Sequence, residues 1–389
     1  MKSPVGASRV GRARPGESGA QPAPPHGRAS GFARRSRLVR YLTVGYTLLI
    51  AYASLYPFDA WRGTLDNPLG FLLAEWPRYY TLSDVALNIV AYGPLGFLLV
   101  LLLLPYLGPR PAALFATVAG TLLSIGMEVL QHFVPLRVSS NLDVLTNGLG
   151  AMMGAMLAAI VGERWVLSGH FYRVRQRVFR PGEGIDVGFV LLLMWLFTQL
   201  NPEVWLFGNG DLRPAIVVAG GLEFNPASYR WLETGVTALN LSGICLLVTA
   251  LARTREGLPG VLLAFIATAF TLKALGALAL FKPPEVMVWL TPGALLGLPA
   301  GLALYLLLSR LAPAVMAVIA ALLIAGGFLL VNIAPDNPYL AASVRTWRHG
   351  HFLSFSGLTQ LAAALWPALA LGYLGWLAVH VRGRPPGHS

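Results

Sequence analysis

The chain has 389 residues, 56% of them hydrophobic and only 12% charged, at a mean hydropathy of +0.62. Soluble domains carry about a quarter charged residues, so this composition excludes an ordinary soluble protein and leaves a polytopic membrane protein. The single cysteine, Cys245, excludes an intramolecular disulfide and a cysteine-based metal cluster, and the net charge of +12 sits mostly in a tail and loops, as the positive side of a membrane protein does.

Residues 1–37 are rich in Pro, Gly, Ser and Arg without apolar periodicity, the composition of a disordered basic tail. Arg34, Arg35, Arg37 and Arg40 abut the first apolar run, where they would anchor it at anionic headgroups. Ten spans follow, expected over residues 38–58, 84–104, 112–134, 143–163, 187–207, 232–252, 258–281, 292–309, 311–333 and 356–380. The expected fold class is all-α, a transmembrane helical bundle. Its parts are a four-helix membrane domain over 38–163, a basic loop over 164–186 and a six-helix extension over 187–389. Segments on the side of the N-terminus hold 20 Lys and Arg against 8 on the other. The positive-inside rule therefore places both termini in the cytoplasm and the chain in the cytoplasmic (inner) membrane.

SLYPFDAW (Ser54 to Trp61) closes the first span much as QLNPEVW (Gln199 to Trp205) closes the fifth. LTN (145–147) in the fourth span is echoed by LTQ (358–360) in the tenth. A degenerate parallel duplication is one reading, and chance likeness between apolar segments is the other.

Polar residues gather at one expected depth, the external ends of spans two to four. On span three, Ser124, Glu128, Gln131 and His132 fall within a sector of about 100°. Asp84 and Asn88 on span two are one turn apart, as are Asp143 and Asn147 on span four. The latter pair shares its face with Gly150, Gly154 and Ala158, a small-residue row suited to close helix packing. Each of the three helices thus brings an acid and an amide toward one pocket, with Arg137 in the connecting turn as its lid. Ionisable groups within a span cost about 2.5–3.5 kcal/mol apiece on insertion scales, so they mark function or a paired network. Both readings stand on the residues alone: a buried ionic network that fixes the hairpin, or a functional site.

These residues, in this order, resemble the VanZ-like membrane protein family. The likeness rests on Asp84 and Asn88, then PLGF (Pro94 to Phe97), then Glu128 and Gln131. It continues through Arg137, Ser140, Asp143, Val144, Asn147 and Gly150. It covers roughly residues 40–163 and implies an integral membrane protein of the cell envelope. The family's namesake is associated with resistance to the glycopeptide teicoplanin.

Three functions compete. In the first, the pocket binds or processes an amphiphile of the outer leaflet, a lipid-linked envelope precursor or a lipoglycopeptide. Glu128 and Asp143 are its candidate acid/base pair; Asp84, Asn88, Gln131, Arg137, Ser140 and Asn147 are its binding residues. In the second the chain is a secondary transporter, with Lys273, Asn240 and Asn332 near the midplane and Pro292, Pro299 and Gly301 marking a broken eighth helix. Lys273 is expected to snorkel outward, with pairing to Glu285 as the alternative. In the third the chain is a non-catalytic scaffold, contacting partners through the segment 334–352 with its Arg345 and Arg348. The sequence shows no cofactor motif, and His349 and His351 lack a third metal ligand. The expected partners are membrane lipids and the amphiphile, not nucleic acid.

Overall fold

A computed structural model describes residues 26–56, 58, 61, 67–78, 80–134, 138–162, 177–201, 203–213, 224–280, 286–335 and 353–381. Among these, ten α-helices follow one another without a β-strand: α1 His26–Leu55, α2 Leu82–Leu107, α3 Pro109–Gln131, α4 Asn141–Gly162, α5 Glu183–Thr198, α6 Pro226–Leu251, α7 Leu258–Leu280, α8 Pro292–Leu308, α9 Pro313–Ile333 and α10 Leu353–His380. Eight are long and apolar enough to cross a membrane; α5 and α8 are apolar but shorter. The chain is a multi-pass membrane protein by this criterion, as its composition implies. Helix α1 starts at His26, so residues 26–37, expected in the disordered tail, continue the first helix upstream of its apolar part. A short 3-10 turn, Gly70–Leu73, lies between α1 and α2.

In the N-terminal half, α2 and α4 pack backbone to backbone. A Cβ on Gly154 would stand 1.8 Å from the Gly93 carbonyl oxygen, and one on Gly96 1.9 Å from that of Ala151. Only hydrogen fits at these points, which is why small residues line this seam. In the C-terminal half α6 is the central helix, flanked by α8 and α9. Helix α8 lays Gly293, Gly297 and Gly301 on it, and hydroxyls from α6 cross the seam: Thr234 Oγ1 donates to Gly293 O (3.0 Å) and Ser242 Oγ to Gly301 O (2.7 Å). Helix α8 is continuous through Pro299. The expected break there is absent; Pro292 occupies the first turn, where its missing N–H is no loss.

The break falls in α5 instead. The fifth span was expected to run to residue 207, but its helix ends at Thr198. Asn201 precedes Pro202, and a proline disfavours helix in the residue before it; Asn201 Oδ1 then accepts from Glu203 N at 2.9 Å. At 16 residues, α5 is about 24 Å long, short of a hydrocarbon core of about 30 Å. The non-helical stretch after it is nevertheless buried: Gln199, Asn201 and Phe207 have no exposed surface, and Asn209 has 3%. Such backbone is tolerated at membrane depth only where protein covers and satisfies it. Asn332 of α9 does part of this, accepting from Leu212 N (2.9 Å) and donating to Gly210 O (2.7 Å).

Lys273 does more, and here the expectation of snorkelling fails. Its side chain is fully buried, donating to the Asn201 carbonyl at 2.7 Å and to the Val204 carbonyl. The acceptors exposed by the break draw the ammonium inward. Its alternative partner, Glu285, lies outside the described residues. Asn240, the third midplane residue, turns its amide back to Val236 O of its own helix at 2.9 Å. The end of the basic loop is fastened to the C-terminus of α6: Arg180 N donates to Leu251 O (3.1 Å) and Arg253 N to Val178 O (2.7 Å).

Candidate functional site

Helix α2 begins, α3 ends and α4 begins at one end of the bundle, and the polar residues of all three meet there. Asp84 is the third residue of α2 and closes a capping box with Thr81: Asp84 N donates to Thr81 Oγ1 (3.2 Å), and Thr81 N to Asp84 Oδ2 (3.3 Å). Asp84 therefore secures the start of the helix that carries Asn88. One turn on, Asn88 Nδ2 donates to Asp143 Oδ1 (2.9 Å) and to Thr146 Oγ1 (3.2 Å), joining α2 to α4. Asn147 Nδ2 donates to Ser124 Oγ at 2.9 Å, joining α4 to α3. Gln131 Nε2 reaches Ser54 O near the end of α1 at 2.9 Å.

Glu128 is 3% exposed and holds the α3–α4 connection from both of its ends. Its Oε2 accepts from Ser140 N at 2.9 Å, and its backbone carbonyl accepts from Ser139 Oγ at 2.7 Å. Ser140 in turn caps α4, accepting at Oγ from Leu142 N at 3.2 Å. The Ser139 and Ser140 hydroxyls are thus both engaged with backbone groups. The expected residues Asp143, Asn88, Asn147, Gln131, Glu128 and Ser140 are brought together. Arg137 lies outside the described residues, and His132 ends α3 with its ring edge-on to Phe133, 5.6 Å between centroids.

Two members were not expected. Tyr92, 4% exposed, stands beside Ser124 with its hydroxyl outside hydrogen-bond geometry among the described residues, within electrostatic reach of Glu128 and Asp143. It follows Asn88 by one turn, a spacing that places it on the same face. Thr146 follows Asp143 by three residues, for the same reason. No group of three His, Cys, Asp or Glu able to hold a metal occurs among the described residues.

A groove of about 560 Å³ runs between α3 and α4, lined by Thr117 and Thr121 of α3 and by Leu145, Gly148, Leu149 and Met152 of α4. Leu72, Leu73, Ala74 and Trp76 form one wall, and Asn141 Nδ2 ties that wall to the start of α4 through Ala74 O at 2.8 Å. At about 100° per residue, Leu145, Leu149 and Met152 lie opposite Asp143 and Asn147 on α4. The cluster is packed on one face of α4, and the groove lies on the other.

Residues 31–162 match the model of the VanZ/LLP1 family, and this interval contains every residue of the cluster and the groove. No curated protein and no solved structure matches the chain. Helices α5 to α10 lie beyond the matched interval. The first four helices, with the polar cluster at one end, are a VanZ-like segment within a longer multi-pass membrane protein.

Proposed function

We propose that the chain is an integral membrane protein of the cell envelope whose VanZ-like segment binds an amphiphilic, lipid-linked envelope compound, with its apolar chain along the α3–α4 groove. One observation carries this reading: the groove has a wall of exposed apolar residues, with Leu73 95% and Trp76 60% exposed. A space lined mainly by apolar side chains suits an acyl or isoprenoid tail better than a polar solute. The polar cluster supports the groove by fixing α2, α3 and α4 at one end, and the positive-inside pattern supports assigning that end to the outer leaflet of the cytoplasmic membrane. A protein of this kind could alter susceptibility to glycopeptides by binding their lipid-linked target, which fits the resistance that the VanZ-like match suggests.

The test is photolabelling of the purified protein with a diazirine-bearing isoprenyl phosphate, followed by peptide mapping. Labels are expected on α3, α4 and residues 70–76. Leu149→Trp, which fills the groove from a 38% exposed position, should lower labelling about tenfold. Leu322→Trp on α9, a 67% exposed site away from the groove, should not. Equal labelling of all three proteins, or labels scattered over every lipid-facing helix, would sink the proposal.

A further inference from the structure

The break after α5 has the chemistry of an ion site. A helix C-terminus carries the negative end of the helix dipole, and here the carbonyls of Asn201 and Val204 lie beyond the end of the helical ladder. Lys273 Nζ donates to both. Glu203, between them in sequence, acts electrostatically on the ammonium, and its Oε2 accepts from Gln360 Nε2 of α10 at 2.8 Å. Helix α7 comes close enough for this because of Gly276, where a Cβ would stand 2.0 Å from the Leu200 carbonyl oxygen.

A second observation is independent of the lysine. Gln199 Oε1, an acceptor on a side chain with no exposed surface two residues before Asn201, has no hydrogen-bond partner among the described residues. Buried polar atoms in folded proteins are overwhelmingly satisfied, so an unpaired acceptor leaves room for a donor or a cation at this break. Carbonyls of unwound backbone, a carboxylate and an amide at membrane depth are the donor set with which broken membrane helices coordinate small cations.

We propose that the stretch after α5 is a cradle for a small monovalent cation, a primary ammonium or an alkali-metal ion. Lys273 fills it with its own ammonium, and the filled cradle holds residues 199–213 against α7. This site belongs to the helices beyond the VanZ-like segment and does not rest on the lipid-binding reading.

The experiment is hydrogen exchange of residues 199–213 in the full-length protein in nanodiscs, at one pH. Lys273→Ala removes the atoms of n-propylammonium beyond Cβ and leaves their space. The variant is expected to exchange at least tenfold faster in this stretch than wild type. Millimolar n-propylammonium should restore the protection; n-propanol, of the same shape without the charge, should not. Potassium or sodium chloride in place of choline chloride tests the metal arm. Lys273→Met fills the space without a charge and should exchange fast under every condition. Recovery of folded Lys273→Ala only when n-propylammonium is present supports the cradle. Wild-type protection in Lys273→Met overturns it, and so does fast exchange of Lys273→Ala that no small cation reverses. Should Lys273→Ala not fold under any condition, Lys273→Met decides: fast exchange confined to 199–213 supports the cradle.

Discussion

The two halves of the molecule bury polar groups by opposite means. In the VanZ-like segment the helices are intact and side chains meet one another or a helix end: Asn88 with Asp143, Asn147 with Ser124, Glu128 with the Ser140 amide. In the C-terminal half a helix is broken, and a side chain from α7 meets the backbone that the break lays bare. The first arrangement ties three helix ends together and leaves a groove on its far side. The second stabilises a bend that the bilayer would not otherwise tolerate. One region is thus a clamp between rigid rods, and the other a plug in an opening.

The comparison is broken most severely at the α2–α4 seam. Gly154→Leu forces a side chain into the Gly93 carbonyl, an overpacking that backbone shifts cannot relieve, so a loss of more than about 3 kcal/mol is expected. Size-exclusion chromatography should show little folded protein. A monodisperse variant with an unchanged melting temperature would mean that the clamp does not depend on this contact. Next in size is Lys273→Met, which removes the donor from the Asn201 and Val204 carbonyls and the positive charge near Glu203. Leaving a buried acceptor unpaired costs about 1–3 kcal/mol, and two are left here. Thermal unfolding should show the loss, and limited proteolysis should place the first cut near residues 199–213. A first cut in α2–α4 would make the plug the stronger of the two regions.

The two regions were also unequally legible in the sequence. Helix number and most boundaries follow from apolar runs and their lengths, and the cluster follows from helical spacing: Asp84 with Asn88, Glu128 with Gln131, Asp143 with Asn147. Spacing defines a face wherever the helix is regular, so it also accounts for Tyr92 and Thr146. It cannot say that Ser140 caps α4 or that the groove lies behind Asp143, since both depend on how the helices are placed together. The break in α5 was misplaced because Asn201 and Pro202 sit where a span of ordinary length was about to end. Lys273 was misread for a related reason. Its partners are carbonyls, and every residue carries one, so no residue type in the sequence announces them.

Smaller effects sharpen the picture of the clamp. Glu128→Ala removes the acceptor for Ser140 N–H, and leaving a buried donor unpaired costs about 1–3 kcal/mol. Glu128→Gln retains an oxygen at the same reach and should recover about half of that loss. A melting temperature equal to or above wild type for Glu128→Gln would show that the charge gives no benefit to stability, and a ligand or reaction would have to account for it. Smallest of all is Asn147→Ala. Its amide makes one described bond, to Ser124 Oγ, while its Oδ1 has no partner among the described residues. Truncation removes an unpaired acceptor together with a made donor, so the net cost should be no more than about 1 kcal/mol. A loss as large as that of Glu128→Ala would show that Asn147 Oδ1 is paired in the membrane, by water or by a bound headgroup. The polar cluster would then be wet on the side where the helices appear closed.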